Sequence, residues 1–503
     1  MSPIDFIIFF AYLAGVVALG AAFARRQRAP QEFFLAGRSM HWFPIGLSVM
    51  VTAFHAMQYA AFSTEVLGHG LYVVLSVPVF VLVALPITRV FMPYFHGMRL
   101  TSAYEVLEHR FDVRVRQLAS VLFILWRVLW MAVALYVPCL VLSRITGVDL
   151  RVLVVVAGVA ATVYTASGGM RAVMWTDVAQ WFVLFGGLVV GIAVVCARTE
   201  GGFVGMLRAG SAAGLTRPFA PFDPQVLSLD PRVRITVWSA LVGTFVAFLA
   251  RYGADQVVVQ RYFTARSLRE AQRGFWLNVG SVAVSLACLA LLGFAMHAQA
   301  AASPAATRVL KPLARFADFV SSLPRGACGL LVAGLFAASM SSVDSGIHSC
   351  STAFAADLWE RRGRVSSVAM SRVIVAVLGV LVIAMACFVG RLGTIFGIAN
   401  RIINGLGSPL LALFLLGMFS RRANAAGMLV GGVLGTAASV AVSFGVSSLA
   451  LHYYAVANLL ATLALCYGCS LVLRPVAGGP TAEQLGWTWW ERRRSTDEQG
   501  AAT

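Results

Sequence analysis

At 503 residues, 59% hydrophobic and 12% charged, the chain lies far from soluble domains, which carry about 45–50% apolar and about 25% charged residues. Apolar runs of 18 or more residues recur along it. Each is long enough to cross ~30 Å of hydrocarbon at ~1.5 Å per helical residue, which excludes a soluble globule and gives an all-α polytopic membrane protein. The net charge of +18 is almost wholly arginine, dispersed in short clusters between the apolar runs; that is the pattern of topology signals and argues against nucleic acid as a partner.

The first run, Ile4 to Ala24, has Asp5 where a cleaved signal would have a basic flank and is as long as a full span, so a retained helix is expected. Further spans are expected at 42–64, 71–92, 118–143, 150–167, 176–197, 235–259, 275–297, 327–356, 366–389, 393–418, 425–446 and 452–473. Thirteen helices put the two termini on opposite sides. Arginines follow every odd-numbered span: Arg25, Arg26 and Arg28; Arg110, Arg114 and Arg116; Arg171; Arg261, Arg266, Arg269 and Arg273; Arg361, Arg362 and Arg364; Arg421 and Arg422; Arg492 to Arg494. The positive-inside rule then gives the N-terminus outside and the C-terminus inside. Two connections, 198–234 and 298–326, are long and punctuated by Pro and Gly but nominate no chemistry. Cysteines lie almost entirely within apolar runs and read as small buried hydrophobes.

Polar residues interrupt two spans. The second carries Ser48, Thr52, His55, Gln58, Ser63, Thr64 and Glu65, a load that hydrocarbon tolerates only where the groups face a cavity or one another. In the ninth, Ser341, Ser342, Asp344, Ser345, His348 and Ser349 crowd together, and Ser341, Asp344 or Ser345, and His348 recur on one helical face. Hydroxyls, a carboxylate and freed carbonyls are the oxygen ligands that hard cations such as sodium take. The bland reading has the serines bonding back to their own helix while small residues allow tight packing, but a lone buried carboxylate needs a proton, a cation or a basic partner. At the start of the sixth span, Thr176 and Asp177 read equally as a helix cap or as cation ligands.

Arg127 in the fourth span and Arg251 in the seventh sit too far from either end to snorkel to water easily. Each requires an anionic partner: an internal acid such as Glu65, Asp255 or Asp344, or the carboxylate of a solute, which the planar guanidinium fork suits. Tyr252, Trp130, Phe54 and Tyr59 offer aromatic walls.

Four stretches resemble the sodium:solute symporter family: YFHGMRLTSAYEVLEHRF from Tyr94, VYTASGGMRAVMWTDVAQ from Val163, DQVVVQRYFTARSLREAQRG from Asp255 and SSVDSGIHSCSTAFAADLW from Ser341. With FSTEVLGHG, they look closest to the branch that carries monocarboxylates, vitamins and iodide. The resemblance implies a LeuT-like 5+5 inverted-repeat core, with ion and solute bound where the first helix of each repeat is broken. It divides the chain into an extra helix and loop (1–41), a first repeat (42–234), a second repeat (235–419), two further helices (420–474) and a tail (475–503). It also implies a sodium site made by the carbonyls near Val51 and Phe54, the carbonyl of Ala338 and the hydroxyls of Ser341 and Ser342. A second sodium position would use Asp177, Ser341, Asp344 and Ser345. Gln58, Phe248, Arg251 and Tyr252 fall where relatives line the solute cavity, and Thr52, His55 and Arg127 join them as candidates.

The expected function is sodium-coupled import of a small organic anion by alternating access in a cell membrane, the bacterial inner membrane being the expected one. Sodium is the expected coupling ion, and the solute and membrane lipid the expected partners; nothing nominates an obligate protein partner. Proton coupling through Asp344 or Asp177, a neutral solute or an inorganic anion, and a non-transporting sensor are the alternatives. No constellation of nucleophile, base and oxyanion donors suggests an enzyme.

Overall fold

The computed structural model describes residues 1–24, 29–54, 56–98, 100–219, 224–230, 232–233, 235–302, 312–363, 367–390, 395–446, 452–473 and 480–493. Among these residues the chain is helical, with one isolated bridge between Met40 and Ala265. Ten helical stretches are long and apolar enough to cross a membrane, and two shorter apolar helices, Trp42–Ala53 and Ser239–Gly253, accompany them.

In chain order the helices are α1 (Pro3–Ala24), α2 (Pro30–Leu35), α3 (Trp42–Ala53), α4 (Ala56–His69), α5 (Pro78–Pro86), α6 (Met92–His96) and α7 (Glu105–Arg110). Then come α8 (Val113–Thr146), α9 (Leu150–Arg198), α10 (Gly202–Ala212), α11 (Pro224–Leu227), α12 (Thr244–Gly253), α13 (Gln256–Thr264) and α14 (Leu268–Ala302). The last third holds α15 (Pro312–Ser321), α16 (Ala327–Ala353), α17 (Val368–Val389), α18 (Ile395–Phe419), α19 (Ala425–Gly445), α20 (Tyr453–Val472) and α21 (Ala482–Gly486).

Nearly every residue of α16 is buried, and it packs against α9, α8 and α1. Lipid takes the place of water around the bundle: Ile7, Val380 and Leu460 are each 60% exposed or more. Because lipid tails are as apolar as leucine, close helix contact rests on small residues and dispersion. Along α19, Gly427, Gly431 and Gly435 let α20 approach so closely that a Cβ on Gly431 would stand 2.3 Å from the Cα of Cys466. At the other end of the chain Asp5 is buried and accepts the backbone N–H groups of Gly326 and Gly329 at 2.7 and 2.9 Å. A carboxylate there satisfies free amides at the start of α16 and ties α1 to it.

The expected fifth and sixth spans form the single helix α9, bent at Gly169, where φ of 60° and ψ of −169° suit a residue without Cβ. Two other expected spans are interrupted. The second divides into α3 and α4 at Phe54, whose backbone is extended (φ −111°, ψ 108°). The seventh divides into α12 and α13 across Ala254 and Asp255, and α13 continues to Thr264 with every residue buried.

That continuation corrects one reading of the arginine clusters. Arg261 is not a loop charge: it lies on α13, fully buried. Arg110 and Arg116 are likewise buried, Arg116 in ion pairs with Glu108 at 2.7 Å and Asp357 at 2.5 Å. A run of sequence shows where charges cluster but not which of them later find acids inside the bundle.

Candidate functional site

Where α3 stops, its last carbonyls have no partner four residues ahead. The Val51 carbonyl accepts the N–H of Phe54 at 3.1 Å. The Thr52 carbonyl accepts two side chains from elsewhere: the Ser342 hydroxyl at 3.2 Å and Nη2 of Arg251 at 3.4 Å. Ser342 also lies 3.3 Å from the carbonyl of Ala338, one turn back on α16. Of the expected set, Ser342 and Ala338 meet the end of α3 through the Thr52 carbonyl, the Ser341 hydroxyl donates to Asp177 instead, and the Val51 carbonyl is taken by Phe54. Hydroxyls and freed carbonyls facing each other across a broken helix form an oxygen cradle of the kind a hard, weakly charged cation takes.

Beside it is a fully buried carboxylate cluster. Asp177 of α9 accepts from Ser48 at 2.5 Å, from Ser341, and from Nη2 of Arg261 at 3.0 Å, with the Thr52 hydroxyl at 3.4 Å. The same guanidinium donates to Ser48 and Thr52, both at 2.7 Å, to Ser345 and to the Val257 carbonyl. The arginine thus spans the gap between Asp177 on α9 and Ser345 on α16, and its positive charge compensates the carboxylate. Burial without such a partner would cost several kcal/mol (~3–5). Asp344 is also fully buried and takes its hydrogen bonds from elsewhere: it accepts from the Tyr164 hydroxyl at 2.8 Å and from the backbone N–H of Ser345.

The two interior arginines separate. Arg127 is paired with Asp255, Nε to Oδ1 at 3.1 Å, with a second contact between Nη2 and Oδ2. Since Asp255 also accepts from the N–H of Val257 and caps α13, Arg127 braces the second helix break. Of the two partners left open for it, an internal acid is the one in place.

Arg251 has no ion-pair partner among the described residues; beyond its bond to the Thr52 carbonyl, its Nε is buried without a hydrogen-bond partner. The ring of Phe248 lies 4.4 Å from Phe80 and 5.7 Å from Tyr252, giving an apolar wall beside it. Oε1 of Gln58 is buried without a hydrogen-bond partner among the described residues, and the buried Tyr252 hydroxyl faces the side-chain amide of Asn278. Asn278 stands one turn beyond Phe275 on α14, whose ring meets Tyr252 edge-on at 4.9 Å. Each unsatisfied buried polar group costs about 1–3 kcal/mol, so the Nε of Arg251 marks a place for a polar occupant or ordered water. Of the expected solute residues, His55 lies outside the described residues, and Thr52 turns its hydroxyl toward Arg261, Asp177 and Ser345 instead.

Ser48, Arg261 and Asn278 are the residues that reading the sequence for site members missed. Ser48 stood in the polar load of its span, and Arg261 was masked by the basic residues that follow it. Asn278 had a signal, an amide inside an apolar run, but no neighbour in sequence to connect it with Tyr252.

The profile of the sodium:solute symporter family matches residues 33–435. The sodium-dependent multivitamin transporter of Oryctolagus cuniculus is 34% identical over 446 residues, covering 86% of this chain and 68% of that protein. Sodium-coupled monocarboxylate transporter 1 of Homo sapiens is 30% identical over 455 residues, covering 88% and 73%. A Na+-coupled sialic acid symporter, solved in a substrate-bound outward-open state, is 26% identical with a TM-score of 0.84, covering 94% of this chain and 99% of the other. With the family match running through both helix breaks and the helix that faces them, the chain belongs to the sodium:solute symporter family: a multi-pass membrane carrier of a small solute, not an enzyme, with sodium as its coupling ion.

Proposed function

We propose that the protein imports a small organic anion, a carboxylate, together with sodium by alternating access. The observation that carries this reading is the meeting of the Thr52 carbonyl, the Ser342 hydroxyl and the Ala338 carbonyl at the break between α3 and α4, with Arg251 donating to the same carbonyl. Sodium in that cradle would fasten α3 to α16 and fix the carbonyl on which Arg251 rests. It would thereby present the free edge of the guanidinium to a carboxylate. Coupling is then reciprocal, since an ion that improves solute binding is held more tightly when solute is present.

The relatives carry solutes whose names fit: a sialic acid and monocarboxylates are acids. We place the two repeats at 42–234 and 235–419, flanked by 1–41, 420–474 and 475–503, with thirteen spans, the N-terminus outside, the C-terminus inside and a bacterial inner membrane as the setting. Asp177, Ser341, Asp344 and Ser345 form the second ion position only if Arg261 leaves it. While that guanidinium stands between Asp177 and Ser345, one sodium per cycle is the expected stoichiometry, and a monoanion would move without net charge.

A second reading rests on Asp344, whose donors are a tyrosine hydroxyl and a backbone N–H rather than a cation. A buried carboxylate in that setting can carry a proton, which would add proton coupling.

The site is tested by Ser342→Ala, which removes one sodium ligand and leaves Arg251 in place. Losing one oxygen ligand at about 1–2 kcal/mol should raise the sodium concentration for half-maximal uptake by roughly 5- to 30-fold, while the apparent affinity for solute in saturating sodium changes little. An unaltered sodium activation curve would move the ion elsewhere.

A further inference from the structure

We propose that a groove beside the C-terminal helices is a binding site for one anionic phospholipid of the surrounding bilayer. It has a volume of about 830 Å³ and is walled by Leu415, Leu416 and Phe419 of α18, Tyr467 of α20 and Trp490, with Arg421 and Arg422 at its mouth. Nothing in it belongs to the ion and solute site.

The groove has two chemically different ends. On α20, Leu471 follows Tyr467 by one helical turn and, like the adjoining Val472, is strongly exposed, so the apolar end runs onto surface that faces lipid. The other end carries two guanidinium groups at the C-terminus of α18. Arg421 is half exposed and paired with Glu491 at 2.9 Å. Arg422 is exposed and has no side-chain partner among the described residues. A helix C-terminus favours a nearby cation, which accounts for one basic residue there but not for two beside an open apolar groove.

Trp490 is held as a fixed wall. Its indole N–H donates to the Phe419 carbonyl at 3.1 Å, and its ring stands 4.9 Å from Trp489, itself under the guanidinium of Arg493. Tyrosine and tryptophan with arginine at such a place are the side chains of the membrane interface. An occupant with an acyl chain for the leucines and a phosphodiester for Arg422 satisfies both ends, whereas a soluble anion would leave the apolar end uncovered. Arginine matches phosphate oxygens in a bidentate fork.

The test is native mass spectrometry of the full chain in detergent, titrated with phosphatidylglycerol or with phosphatidylcholine of the same acyl chains. It reads lipid binding without transport, so its outcome is independent of which solute is carried. Phosphatidylglycerol should bind as a stoichiometric adduct in clear preference to phosphatidylcholine. Arg422→Gln should weaken it about fivefold, the effect of one basic residue at an anionic surface. Trp490→Ala should weaken both lipids, and Arg151→Gln, an exposed arginine at the start of α9, should change nothing. Equal binding of the two lipids, an unchanged Arg422→Gln, or displacement by free glycerophosphate as effective as by the lipid would each overturn the proposal.

Discussion

Replacing Arg251 with leucine is expected to reduce uptake of the organic anion to background while sodium binding stays measurable. Among the described residues the guanidinium has one hydrogen bond, to the Thr52 carbonyl, and a buried Nε without a partner. Among the described residues it has no ion-pair partner, and Tyr252 beside it is uncharged. A carboxylate bound there loses its charged partner when the side chain is removed, which costs about 2–5 kcal/mol or more in comparable desolvated pairs. That corresponds to a loss in affinity from roughly 30-fold to several thousand-fold. Arg251→Lys keeps the charge but not the planar fork, so it should recover only part of the activity. The measurement is initial uptake into liposomes beside sodium-dependent thermal stabilisation of the same variant. Unchanged uptake would remove Arg251 from the solute site, and Arg127, held by Asp255, would not be ready to replace it.

A larger effect on the fold itself is expected from Asp177→Ala. This leaves Arg261 fully buried with hydroxyls and one carbonyl around it but without its direct ion-pair partner. Removing one member of a buried ion pair destabilises by about 3–5 kcal/mol, whereas replacing both with apolar groups is often close to neutral. The double variant Asp177→Ala with Arg261→Met should therefore melt above the single Asp177→Ala variant in detergent, despite carrying one more substitution. Recovery will be incomplete because Ser48, Thr52 and Ser345 lose a common donor. A double variant that melts below the single one would show that the pair is not what holds α9, α13 and α16 together.

Much of this is legible in the sequence. Spans could be read because hydrocarbon demands about 20 apolar residues per crossing. The polar faces of α3, α4 and α16 stood out because hydroxyls and carboxylates are rare in such runs. Their pairing across space was not legible. Whether Asp177 caps a helix or faces a cation depends on α3 and α16 lying beside it, and these are over a hundred residues away on either side. Arg261 shows the opposite failure: its sequence neighbours Arg266, Arg269 and Arg273 are the basic residues expected after a span, so its place on a buried helix was hidden. The break at Phe54 carries no proline or glycine, and only the tertiary setting, with donors from α12 and α16 waiting for the Thr52 carbonyl, makes a broken helix stable there.

The most direct test of the account is uptake of a panel of organic acids into liposomes holding the purified protein, driven in parallel by an inward sodium gradient and by a pH gradient without sodium. The proposed function predicts accumulation of at least one carboxylate under the sodium gradient, lost when sodium is replaced by potassium, and no accumulation under the pH gradient alone. Accumulation driven by protons in the absence of sodium would contradict it and transfer the coupling to Asp344.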